Sequence, residues 1–72
     1  MRFFIFMNLT VNGEAFETER AATISQLLDE LNMEPARVAV EVNLSIVRKS
    51  DYSSFALHAG DRIEIVNFVG GG

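Results

Sequence analysis

Hydrophobic and polar residues alternate near the start of the chain: Ile5, Met7, Leu9 and Val11 occupy one set of positions, and Phe6, Asn8, Thr10 and Asn12 the other. A period of two is that of a β-strand with two unlike faces. Asn12-Gly13 follows, and both residue types accept the positive φ of a type I′ hairpin turn, so "VNGEAFET" predicts a returning second strand. The period then changes. In "TISQLLDELN", Ile24, Leu27, Leu28 and Leu31 are spaced i, i+3, i+4, i+7, which gathers them on one face of a helix and leaves Ser25, Gln26, Asp29 and Glu30 to water. Thr23 and Gln26 have the spacing of a capping box, and Asn32 and Pro35 mark the helix end.

Alternation returns in "ARVAVEVN", with Val38, Val40 and Val42 on one face and Ala39 and Glu41 on the other, and predicts a third strand. Between Leu44 and Leu57 the pattern is less regular. Ile46-Val47 fits a short strand, and "KSDYSSF" a turn or a single helical turn with Tyr52 and Phe55 facing inward. Ala59-Gly60-Asp61 signals a turn into "DRIEIVNF", a last strand with Ile63 and Ile65 on one side and Arg62, Glu64, Val66 and Phe68 on the other. One helix covers only one face of a sheet. The order therefore predicts an α+β fold of β-grasp layout, a mixed four- to five-stranded sheet packed on one main helix. Its inward set is Met7, Leu9, Val11, Ile24, Leu27, Leu28, Leu31, Val38, Val40, Val42, Ile63 and Ile65.

Composition narrows the function classes. Seventy-two residues make a single domain, 1–72, with a small core, and 49% apolar with 22% charged residues is globular rather than disordered usage. The absence of cysteine removes disulfides, thiolate metal sites and thiol nucleophiles. A net charge of −4 argues against binding a phosphate backbone, which needs clustered Lys and Arg, and favours a partner with a basic groove. "MRFFIF" lacks the long apolar region and cleavage site of a signal peptide, and no stretch approaches the length of a bilayer span. These features predict a cytoplasmic protein that binds neither nucleic acid nor membrane. Met7 opens "MNLTVNGE", a natural beginning, so residues 1–6 read as an extension from an alternative start.

Candidate chemistry is sparse. Asp29, Glu30, Glu34, Glu41 and Glu64 fall on outer faces with nothing to bring a pair together in a desolvated cleft, so solvated surface is their reading. His58 stands in a loop without a companion ligand, and no metal site is expected. Ser25, Ser45, Ser50, Ser53 and Ser54 lack a nucleophile motif. Arg48-Lys49 is a small basic spot of the kind usually found in a solvated loop. Val66 and Phe68 lie on the side of the sheet away from the helix, where they either form a partner surface or are covered by the loop around Tyr52.

The chain then runs from Val69 into Gly70, Gly71 and Gly72. No helix follows these glycines to make a nucleotide site. Residues 69–72 form a flexible tail that either frays, as termini usually do, or exploits the missing Cβ to thread a channel closed to other residues. From Asn67 an extended tail reaches on the order of 20 Å, enough to deliver a terminal carboxylate into another protein's active site.

Taken in order, "LTVNGE", "TISQLLDEL", "VAVEVN" with "IV" three residues on, "LHAGDRIEIV" and the closing "VGGG" resemble the ubiquitin-like sulfur carriers of the ThiS/MoaD family, most closely its thiamine-biosynthesis branch. The similarity covers nearly all of Met7 to Gly72. Where the family often has a proline and a basic residue after Ile-Val, this chain has Arg48-Lys49. The resemblance implies a non-enzymatic carrier that binds no cofactor. A ThiF-like adenylyltransferase uses ATP to activate the Gly72 carboxylate as an acyl-adenylate. Sulfur from a cysteine desulfurase or another donor converts it to a thiocarboxylate, and a ThiG-like thiazole synthase accepts that sulfur. Val66, Phe68, Val69, Gly70 and Gly71 would contact these partners. The alternatives are the molybdopterin-synthase small subunit and an interaction module that carries no sulfur.

Overall fold

A computed structural model describes residues 6–68; the expectations for Ile5, for the extension before Phe6 and for a flexible tail at 69–72 lie outside that range. Five strands and one helix follow in the order β1 (Met7–Val11), β2 (Glu14–Thr18), α1 (Ile24–Glu30), β3 (Val38–Val42), β4 (Ser45–Val47) and β5 (Arg62–Asn67). Two single 3₁₀ turns, Pro35–Arg37 and Lys49–Asp51, stand before β3 and after β4. The strands form one sheet ordered β2-β1-β5-β3-β4. β1 and β5 run parallel, and the other neighbouring pairs are antiparallel. The mixed β-grasp sheet predicted from the pattern is therefore present, with five strands.

Local chemistry sets each boundary. Asn12 and Gly13 have φ of 50° and 82°, as a type I′ turn requires, and the pairing Val11↔Glu14 closes directly across them. Thr23 caps α1: its hydroxyl accepts from Gln26 N at 3.3 Å, and Gln26 Oε1 accepts from Thr23 N at 3.1 Å and Ala22 N at 2.7 Å. The next two amides, Ile24 N and Ser25 N, donate to Phe55 O and Tyr52 O at 3.2 and 2.9 Å, so the 48–57 segment completes the cap. At the other end Asn32 takes φ of 58°, and Asn32 N and Met33 N donate to Asp29 O and Leu28 O, the paired bonds of a Schellman ending.

The core lies between α1 and one face of the sheet. Ile24, Leu27 and Leu28 meet Leu9, Val38, Val40, Val42, Ile63 and Ile65, all buried. Of the inward set, Met7, Val11 and Leu31 are only partly buried and pack at its margin. Tyr52 is buried and Phe55 packs against the core, as their spacing predicted, whereas Ala21, Val47 and Leu57 are buried members that the spacing did not place there. A buried polar group holds one edge: Thr18 Oγ1 donates to Glu30 Oε1 at 2.6 Å and accepts from Ala21 N at 3.0 Å, tying the end of β2 to the last turn of α1.

Tyr52 is the chain's single tyrosine, and its hydroxyl donates to Val38 O at 3.4 Å beneath the 48–57 segment. Burial raises its pKa, with the Val40 backbone opposing this in part. A folded-state value above the unfolded one favours the native state below about pH 10, and that contribution is lost as pH rises toward the folded value. Absorbance near the phenolate band should show Tyr52 titrating later in the native protein than in urea. A Tyr52→Phe variant should lose stability less steeply than wild type above about pH 10.

Candidate functional site

β5 is the middle strand, held by two asparagines from opposite sides. Asn12, at the β1–β2 turn, accepts from Ile65 N through Oδ1 at 2.7 Å, and its Nδ2 donates to Ile65 O at 3.2 Å. This pair extends the parallel ladder two residues past Val11↔Ile63. Asn43, at the β3–β4 turn, accepts from Arg62 N at 2.9 Å and donates through Nδ2 to Asp61 Oδ1 at 3.0 Å, while its own N–H reaches Arg62 O at 2.8 Å. Both asparagines have positive φ. The residue type that shapes each hairpin thus also fixes the register of the strand leading to the glycine run.

Beyond Asn67 one further contact is made. Phe68 N donates to Arg37 O at 2.8 Å, one step past the pair Val38↔Asn67. Lys49 Nζ stands 5.3 Å from the centre of the Phe68 ring and donates to Ala36 O at 3.0 Å. The end of β5 is therefore bracketed by the two 3₁₀ turns. Arg48 and Lys49 are exposed, as read above, and Lys49 also holds the neighbouring turn and the last described aromatic ring. Val66 is 60% exposed and Phe68 52%. The segment around Tyr52 leaves Val66 uncovered and reaches Phe68 only through Lys49.

The uncovered sheet face continues from Val66 to its partner Ala39, and then to Glu64, Glu41 and Ile46 across β5, β3 and β4. Glu41 and Glu64 stand directly opposite each other, an arrangement that like charges disfavour and that a cationic partner group would relieve. Leu44 and Ile46 are each 79% exposed, and Leu44 holds φ of 72°, a conformation costing a side chain of this kind roughly 1–2 kcal/mol. The face is apolar at its rim and acidic at its centre. Asp29 and Glu30 line a shallow depression with Arg20 and Gln26 on the outer side of α1, away from β5.

Among the described residues no three His, Cys, Asp or Glu side chains gather to hold a metal ion, and no helix is long and apolar enough to cross a membrane. His58 gives its backbone N–H to Asp61 Oδ2 at 2.8 Å as part of the turn into β5. Of the predicted site residues, Val66 and Phe68 stand together at the end of β5, whereas Val69, Gly70, Gly71 and Gly72 lie outside the described residues. The sequence reading missed Asn12, Asn43 and Lys49 as site-shaping side chains. The available signal was that each is a polar residue at a turn flanking the ends of β5.

These features define a β-grasp domain whose middle strand leads from the core into a glycine-ended segment beside an open sheet face. The match to the ThiS family model runs over residues 9–72, and the chain belongs to that family. It is 40% identical over 65 residues to the sulfur carrier protein ThiS of Bacillus subtilis, covering 89% of this chain and 98% of that protein. It is 47% identical over 66 residues to a thiazole synthase of Paramagnetospirillum magneticum, covering 92% of this chain but only 20% of that protein's length. The crystal structure of the thiamine biosynthesis protein ThiS from Geobacter metallireducens superposes with a TM-score of 0.78 at 32% identity, covering 92% of this chain and all of the other.

Proposed function

We propose that this chain is a sulfur carrier for formation of the thiazole ring in thiamine biosynthesis, acting in the cytoplasm as a protein substrate rather than as an enzyme. The observation that carries the proposal is a ThiS-family match that extends through Gly72, together with a last strand, β5, held at both flanks by asparagines. A ThiF-like adenylyltransferase supplies ATP and its catalytic groups. One oxygen of the Gly72 carboxylate attacks the α-phosphorus, pyrophosphate leaves, and an acyl-adenylate forms. A sulfur nucleophile then adds to the acyl carbon and AMP departs, because AMP leaves far more readily than a carboxylate oxygen. With hydrosulfide the product is the thiocarboxylate directly. With a cysteine desulfurase persulfide an acyl disulfide forms first; a second thiol then attacks the donor's cysteine sulfur, the S–S bond breaks, and the same thiocarboxylate leaves while donor and thiol are joined in a disulfide.

Val66 and Phe68 provide the apolar contact beside the tail, and Val69, Gly70 and Gly71 thread the partner's channel. The similarity to a protein named thiazole synthase supports a ThiG-like enzyme as the acceptor. Relatives named for thiamine biosynthesis favour this branch over the molybdopterin one. The test is intact mass. Incubated with the adenylyltransferase, ATP and sulfide, the chain should gain the mass difference of sulfur for oxygen on its terminal peptide. If conditions that load an established carrier leave this mass unchanged, the proposal is wrong.

A further inference from the structure

Lys49 is an exposed lysine held twice, by the Ala36 carbonyl at 3.0 Å and by the Phe68 ring at 5.3 Å. An exposed lysine normally samples many rotamers, and restricting it requires a compensating attraction. A hydrogen bond and a cation–π contact from one ammonium supply it. Phe68 adds its own N–H bond to Arg37 O at 2.8 Å. Two of these contacts meet at Phe68, two positions before Gly70, and the third ties Lys49 to the Pro35–Arg37 turn.

A glycine run conveys no direction of its own, because each residue has access to both signs of φ. Phe68 is the last described residue ahead of that run, and its position is fixed by contacts that can be named. Resting on the carrier reading above, we propose that Lys49 is a positioning residue for the chemistry at Gly72. It pins the Phe68 ring beside the Pro35–Arg37 turn, so that the adenylating partner meets the base of the glycine run in one orientation. Lys49 touches neither the carboxylate nor ATP; it acts through Phe68.

Two variants of the full chain test the assignment. Lys49→Met keeps the stem and removes the charge, whereas Lys49→Arg keeps a cation able to donate and to lie over the ring. The first measurement is amide hydrogen exchange by NMR. Phe68 N–H should exchange about two- to fivefold faster in Lys49→Met, as expected for loss of a surface cation–π contact, with Ile65 N–H unchanged and Lys49→Arg restoring the wild-type rate.

The second measurement is ATP–pyrophosphate exchange by the cognate adenylyltransferase. The kcat should fall by about the same two- to fivefold in Lys49→Met with KM unchanged, because docking persists while the reacting ends are aligned less of the time; Lys49→Arg should recover it. Unaltered exchange at Phe68 would overturn the clamp. A raised KM with intact kcat would make Lys49 a docking contact and overturn positioning. If wild-type chain itself supports no pyrophosphate exchange, the carrier reading falls and this assignment with it, whereas turnover equal in wild type and Lys49→Met removes the assignment alone.

Discussion

A chain lacking Gly71 and Gly72 should acquire no sulfur at all, while its unfolding midpoint stays within experimental error of wild type. The two halves of this result have separate causes. The core cluster and the strand ladder lie within residues 7–68, so removing two residues beyond them is a peripheral change worth under about 0.5 kcal/mol. Loading, by contrast, is all or none under the carrier reading. A shortened chain still ends in a carboxylate, but that carboxylate sits on the order of 7 Å short of the phosphorus it must meet. Misplacements of about 1 Å already reduce such reactions on the order of a hundredfold. Mass spectrometry of the terminal peptide and a urea titration, run on the same preparation, read both halves. Sulfur on the truncated chain would exclude Gly72 as the point of attachment; a lowered midpoint would place these glycines in the fold instead.

The second large effect concerns stability. Leu27 sits at the middle of the buried face of α1 with no solvent exposure. Leu27→Ala should destabilise the domain by about 2–5 kcal/mol, the lost transfer energy plus that of an unfilled cavity. Small domains have total stabilities near the lower end of roughly 5–15 kcal/mol, so this single substitution should leave a substantial unfolded fraction at 37 °C. Urea unfolding followed by circular dichroism should show a much lower midpoint with a similar slope. A loss below about 1 kcal/mol would mean that α1 does not anchor the sheet as described.

Much of this architecture was legible because its signals are local. The i, i+3, i+4, i+7 leucine stripe, the Thr23–Gln26 box and the Asn12-Gly13 turn each state their conformation within a few residues, and each has the predicted geometry. Periodicity does not encode which elements meet across the fold. The inward Tyr52 was legible from its spacing with Phe55, but Leu57 enters the core because Leu57 N reaches Ala22 O and the segment closes over the start of α1, a pairing between distant residues that no short window contains. Strand alternation put Val66 and Phe68 on the face away from the helix but left open whether the loop around Tyr52 covers them. The grip of Lys49 on Phe68 was not legible, since two 3₁₀ turns from different parts of the chain must first be placed side by side.

The order β2-β1-β5-β3-β4 has a consequence for synthesis. The strand made last is the one inserted between two hairpins made earlier, and Asn12 waits 53 residues for its Ile65 partner. Such distant pairings make folding slow and all-or-none, so neither hairpin can display the finished sheet face while the chain is still on the ribosome. Under the carrier reading, an activating enzyme that recognises Val66 together with Ala39 would therefore engage only molecules whose folding is finished. Nascent or misassembled copies would be spared the expenditure of ATP.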